Sequence, residues 1–281
     1  MPAIGPLVTT GWLAADLASP DLVVLDATVY MPGDARSART LFAAARIPGA
    51  RFFDIDLIAD RHSSLPHMVP TAEEFALRMG ELGVTNASRV VCYDQYGMFS
   101  APRAWWMLRL FGHDQVAVLD GGLPKWRAEG RALQSGPPEP VAPVRFQGAF
   151  RASLLRSLGE IRANLKTRGE LVIDARSADR FHARVPEPRS GLHGGHVPLA
   201  RNLPFGELLT PQQTFRPAAA LRARFAELGV DGSSAVITSC GSGLTAAVVN
   251  LGLALAGLPE GALYDGSWAE WGGRGDTPLE T

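Results

Sequence analysis

The feature that most constrains this chain is that it repeats itself once. In the first half, strand-like apolar runs and helix-like segments follow one another: Leu22–Leu25 ending in Asp26-Ala27, a helix over Thr71–Leu82, the run Arg89–Tyr93, a helix over Ala101–Phe111, and Val116–Leu119. The second half keeps that order with Leu171–Ile173 ending in Asp174-Ala175, a helix near Ala218–Leu228, Ala235–Thr238, a helix near Thr245–Leu255, and Ala262–Tyr264. Matching landmarks are almost equally spaced. Asp26 and Asp174 are 148 residues apart, Pro48 and Pro198 150, Gly83 and Gly229 146, and Asp120 and Asp265 145. Alternation of this kind predicts parallel α/β architecture, built twice. A chain of 281 residues holds two domains of common size. The Pro-rich segment Gln134–Pro143 favours an extended connection, so the expected division is a first domain over 1–135, a linker over 136–149 and a second domain over 150–281.

Charge and cysteine usage narrow the function. With 27 Lys and Arg against 28 Asp and Glu, the formal net charge is −1, and no basic field exists to gather nucleic acid or anionic lipid. The most apolar stretch, 246–258, is broken by Asn250 and two glycines and falls short of the ~20 residues of a bilayer span. The N-terminus lacks a basic region followed by a long apolar run, and Pro2 and Pro6 oppose a signal helix, so the expected location is the cytoplasm. Cys92 and Cys240, the only cysteines, do not have the clustered spacing of a zinc site and are too few for a disulfide scaffold. If either matters, it matters as a thiol. Cys92, inside an apolar run, reads as a buried small hydrophobe.

Aligning the halves sets Cys240 against Asp94, each at the end of an apolar strand and before a helix. One divergent position in two copies of a loop suggests one working site. The loop Cys240-Gly241-Ser242-Gly243-Leu244-Thr245 has two glycines in three residues, which let the backbone turn tightly and aim several N–H groups, with the next helix's N-terminus, at one centre of negative charge. Such a setting favours thiolate over thiol. A phosphatase of the Cys-x5-Arg kind would need arginine where Ala246 stands, and a phosphoryl group would lack its bidentate partner.

These residues match a family. The duplication, Ile-Pro-Gly-Ala at 47–50, Gly-His-Val-Pro at 195–198, Asp-Gly-Gly-Leu-Pro-Lys-Trp at 120–126 and the Cys240 loop resemble the tandem rhodanese sulfurtransferases over nearly the whole chain. The resemblance implies two tandem rhodanese-like domains, each a mostly parallel sheet with helices on both faces. Within the family the loop is most similar to that of 3-mercaptopyruvate sulfurtransferases, with Leu244 where valine is usual; thiosulfate sulfurtransferases typically carry basic residues after the cysteine.

The expected chemistry follows: Cys240 takes sulfur from 3-mercaptopyruvate as a persulfide, pyruvate leaves, and a thiol such as thioredoxin, or cyanide, accepts the sulfur. No metal or organic cofactor is implied, and a monomer is expected. Among Arg176, Arg180, Arg184 and Arg189, the resemblance places the carboxylate-binding pair at Arg180 and Arg189, the latter in Pro-Glu-Pro-Arg, with Gly241, Gly243, Leu244 and Thr245 forming the loop around the substrate. It also couples Asp56 and His67 with Ser242 as a proton relay. Read from residues alone, the arginines could be surface groups, and Asp56 and His67 could simply tie down a long loop. The competing readings of the whole are a thiosulfate sulfurtransferase and a non-catalytic binding or redox-sensing module. Trp105, Trp106, Trp126, Trp268 and Trp271 read as packing residues.

Overall fold

The structure, a computed structural model, describes residues 4–281; Pro2 lies outside them. The first copy runs β1 (Leu7–Val8), α1 (Thr10–Asp16), β2 (Leu22–Asp26), α2 (Ala38–Ala44), β3 (Arg51–Phe52), α3 (Ile55–Ile58), α4 (Ala72–Glu81), β4 (Arg89–Tyr93), α5 (Ala101–Leu110), β5 (Val116–Leu119) and α6 (Gly122–Ala128). The second runs β6 (Leu155–Arg156), α7 (Leu158–Thr167), β7 (Glu170–Asp174), α8 (Ala178–Phe181), β8 (Arg201–Asn202), α9 (Ala218–Glu227), β9 (Ala235–Ser239), α10 (Ala246–Leu255), β10 (Ala262–Tyr264) and α11 (Ser267–Trp271).

Among the described residues, each copy forms one five-stranded sheet, in the orders β1-β5-β4-β2-β3 and β6-β10-β9-β7-β8, and the ladders between these strands are all parallel. The registers correspond: Asp26 pairs with Tyr93, and Asp174 with Ser239. The residues that follow Tyr93 and Ser239 therefore leave the same edge of each sheet, at the carboxyl ends of the strands, where open α/β folds build their sites. Central strands are apolar on both faces, as a covered parallel sheet requires. Val90, Val91 and Cys92 are fully buried, and burial drives the Cys92 thiol far above its ordinary range, so this cysteine is a packing residue. All five tryptophans singled out above are buried as well.

Helix starts follow local chemistry. Thr71 with Glu74 and Ser157 with Glu160 form capping boxes that satisfy the first N–H groups of α4 and α7. The chain divides into two compact units: one comprises the chain to Asp60, Val69–Arg151 and Pro211–Thr214; the other comprises Arg61–Met68, Ala152–Thr210 and Phe215–Thr281. The Pro-rich segment has no regular structure after residue 136 but is fastened to the first unit. Buried Arg46 donates to the carbonyls of Gly136 (2.7 Å) and Pro137 (3.1 Å), and the Val144 N–H donates to Gly80 O (3.0 Å). Gly80 is required there, because a β-carbon would stand 2.3 Å from the Val144 carbonyl oxygen. Among the described residues, no helix is long and apolar enough to cross a membrane.

Candidate active site

Strand β9 delivers Cys240, 2% exposed, to the sheet edge, and the loop 241–245 leads into α10. Gly243 has φ +79°, a left-handed turn that glycine adopts without strain. Leu244 is buried and anchors the loop in the core, and Thr245 is the residue before α10. Behind the loop, α11 holds the backbone: the N–H groups of Trp268 and Ala269 donate to the carbonyls of Cys240 (3.0 Å) and Gly241 (2.9 Å).

What such a loop can bind is visible in the first copy, where Asp94 occupies the cysteine's position. The Asp94 carboxylate accepts five backbone N–H bonds, from Tyr96 (2.9 Å) and Gly97 (2.8 Å) at Oδ1 and from Phe99 (2.8 Å), Ser100 (2.9 Å) and Ala101 (2.9 Å) at Oδ2. The loops correspond in detail. Gly97, like Gly243, has positive φ, and the Leu123 N–H donates to Asp94 O (3.0 Å) as that of Trp268 does to Cys240 O. The loop is thus a cradle for one negative charge, and in the first copy its own side chain supplies that charge.

A chain of charged groups reaches from the second sheet to the thiol loop. Arg176, whose side chain is fully buried, grips Asp174 through Nε and Nη2, donates to Gly195 O (2.8 Å), and lies 4.2 Å from the centre of the Trp268 ring. Its Nη1 donates to Glu187 Oε1 (2.8 Å), and the same carboxylate takes two bonds from Arg180, Nε to Oε1 (3.2 Å) and Nη2 to Oε2 (2.5 Å). The held Arg180 guanidinium lies against Gly241: a β-carbon at that glycine would be 3.0 Å from Nη2. Its side chain remains 18% exposed, so it is available to a solute.

Ser242 is buried, and its Oγ lies 3.0 Å from Nδ1 of His67. His67 comes from the first half of the sequence but packs in the second compact unit, in the segment Arg61–Met68, with a left-handed backbone (φ +61°). The structure therefore brings Cys240, Gly241, Ser242, His67 and Arg180 together. Asp56 sits in the exposed first turn of α3 in the first unit. Arg189 is half-buried in the irregular segment after α8, two residues beyond Glu187. Of the other arginines weighed above, Arg176 belongs to the buried network and Arg184 is exposed, paired with Asp179 at 3.5 Å. His196 is buried, stacks on Phe181 with ring centres 3.6 Å apart and has Nδ1 3.0 Å from Phe181 O; burial lowers its pKa.

Two residues of this neighbourhood escape sequence reasoning. Glu187 lies between two prolines, and its only signal was the arginines spaced four apart at 176 and 180. Ser267, whose Oγ accepts the Cys240 N–H (3.2 Å), had a better one, since it replaces Gly122 of the first copy.

Known proteins agree with this architecture. Residues 9–129 and 157–274 each match the family model described as a rhodanese-like domain. The chain is 43% identical over 271 residues to 3-mercaptopyruvate sulfurtransferase of Homo sapiens, covering 94% of this chain and 91% of that protein. It is 40% identical over 296 residues to the mitochondrial thiosulfate/3-mercaptopyruvate sulfurtransferase 1 of Arabidopsis thaliana, covering 98% and 78%. Among solved structures, that of SseA from Escherichia coli, a 3-mercaptopyruvate sulfotransferase, matches with a TM-score of 0.86 and 39% identity over 94% of this chain and 99% of that one.

Proposed function

The chain belongs to the rhodanese family, and from that premise we propose that it is a sulfurtransferase that takes sulfur from 3-mercaptopyruvate, carries it as a persulfide on Cys240 and passes it to a thiol. The name of the human relative supports this donor, and that of the Arabidopsis relative carries both donors. The observation that carries the choice of donor is Arg180 lying against Gly241. It sets a guanidinium, suited to a planar carboxylate, beside a thiol whose own loop has no cationic side chain. The same contact disfavours the thiosulfate-type loop, because a basic residue at 241 would have to displace an arginine already clamped by Glu187.

In this reading the Cys240 sulfur attacks the thiol sulfur of the donor. The donor's C–S bond breaks, its electron pair passes to carbon as pyruvate enolate, and the enolate takes a proton to become pyruvate. An acceptor thiolate, of a small thiol or of a protein such as thioredoxin, then attacks the outer sulfur and releases the Cys240 thiolate. The loop N–H groups stabilise negative charge on sulfur at both stages, as those of the first copy hold the Asp94 carboxylate. When His67 Nδ1 carries a proton it donates to Ser242 Oγ, which leaves the Ser242 hydrogen for the ketone oxygen as enolate charge develops. The protein works as a monomer, with Arg189 as the second carboxylate ligand.

Steady-state kinetics with both donors, together with intact mass after donor treatment, test the proposal. Wild type should prefer 3-mercaptopyruvate and gain one sulfur; Cys92→Ser should still gain it and Cys240→Ser should not. A preference for thiosulfate would overturn the donor, and an adduct that survives Cys240→Ser would overturn the carrier.

A further inference from the structure

We infer that Ser267 is a positioning residue for Cys240, its backbone held in a left-handed conformation so that its hydroxyl can fix the cysteine's peptide. The inference rests on the reading of Cys240 as the sulfur carrier. Ser267 has φ +48° and is fully buried. Residues other than glycine, asparagine and aspartate seldom adopt this conformation, and it persists only where the surroundings impose it. Its single hydroxyl proton is committed to Tyr264 O (2.8 Å), which leaves the oxygen as an acceptor for the Cys240 N–H at 3.2 Å. The next residue, Trp268, donates its N–H to Cys240 O. The first two residues of α11 therefore anchor both polar groups of Cys240's backbone, and rotation about the Cα–Cβ bond is the main freedom left to its sulfur.

The first copy supplies an internal control. Its equivalent position, Gly122, has φ +51°, so the fold demands a left-handed residue here in both copies. Glycine meets that demand without strain. A β-carbon on Gly122 would collide with the loop it supports, 2.6 Å from Asp94 O and 2.9 Å from Gly97 Cα. In the second copy the loop admits a side chain at this place. The difference follows the chemistry of the residue being held. Asp94 is fixed through its carboxylate by five N–H donors, whereas a thiol is a weak hydrogen-bonding group, and the anchor must be made through the backbone.

Ser267→Ala removes the hydroxyl and keeps the strain; Ser267→Gly removes both and installs the residue that the first copy uses, so it should fold. Both variants should lower kcat for 3-mercaptopyruvate about 2- to 12-fold, the loss of one neutral hydrogen bond, with KM changed less than about twofold because Arg180 is untouched. The Gly variant should melt no lower than the Ala variant, so that activity follows the hydroxyl and not the melting temperature. Hydrogen exchange at the Cys240 amide should quicken in both while that of Trp268 does not, a readout that needs no sulfur donor. An unchanged Cys240 amide, an unchanged kcat, or a loss of kcat that tracks melting temperature would overturn the role of Ser267. Wild type that transfers no sulfur while the amide behaves as expected would instead overturn the proposed function.

Discussion

Replacing Asp94 tests whether the loop is an anion cradle, the idea on which the reading of its twin depends. Each buried N–H left without an acceptor costs about 1–3 kcal/mol, and five face the Asp94 carboxylate. The five do not add, since water can enter the space vacated in Asp94→Ala and the loop can relax. With about two of the five left unmet, the loss is about 2–6 kcal/mol. In a unit of this size, each kcal/mol lowers Tm by roughly 3–5 °C, so the transition of the first unit should fall by roughly 6–30 °C.

The sharper variant is Asp94→Asn, which keeps the volume but turns an NH2 group against N–H donors that need an acceptor. A loop built around negative charge should lose about as much stability in the amide as in the alanine variant. Formate should raise the Tm of Asp94→Ala more than that of wild type, because it can occupy the vacated carboxylate position. Calorimetry and urea titration of the three proteins, with and without formate, measure all of this. An Asp94→Asn protein within about 1 kcal/mol of wild type would refute the cradle in the first copy and remove the internal support for it around Cys240.

Two other expectations are direct. Arg180→Leu removes a charge-assisted contact worth about 1.5–3 kcal/mol, so kcat/KM for 3-mercaptopyruvate should fall about 10- to 150-fold and that for thiosulfate much less; equal losses with both donors would show that the guanidinium does not read the carboxylate. Asp26, fully buried at the end of β2, is raised from 3.8 to about 6, chiefly by burial. Its folded-state pKa lies above the unfolded value, so its protonated form favours folding. The carboxyl is neutral in both states below about pH 3, and the penalty of burying its charge grows as pH rises towards 6, reaching about 2–3 kcal/mol above that. Asp26→Asn should accordingly raise Tm at pH 8 and much less at pH 4.5, and an effect independent of pH would contradict the assignment.

The parts of the fold legible in the sequence are those with enough residues to show a pattern. The apolar runs at 22–26, 89–93 and 235–239 are long enough to announce parallel strands, and Thr71 with Glu74 marks a helix start. The edge strands β1, β3, β6 and β8 are two residues each, too short for any periodicity, and exist only because a neighbour pairs with them. The thiol loop was legible for the same local reason, a cysteine and two glycines at the end of a strand. His67 was not: 175 residues separate it from Ser242, and only the family resemblance joined them. Glu187 was hidden because a carboxylate between prolines looks like a solvated turn, and its burial comes from arginines whose side chains converge only in the folded chain.

The differences between the copies follow a physical order. Two residues beyond the strand-end aspartate, the second copy has Arg176 where the first has Thr28, whose N–H and hydroxyl both serve Asp26 Oδ1. The arginine neutralises Asp174 and carries charge onward to Glu187 and so to Arg180 at the thiol loop. The first copy has no such cation, and burial pushes the pKa of its aspartate, Asp26, up to about 6, with the Asp94 charge nearby adding to that rise. Asp94 against Cys240, Thr28 against Arg176 and Gly122 against Ser267 are thus linked differences. A loop closed by its own carboxylate needs neither a cation beside it nor a hydroxyl behind it. On the proposed function, a loop that holds a thiol and admits an anionic donor is served by both, and the copy that has the cysteine is the one that supplies them.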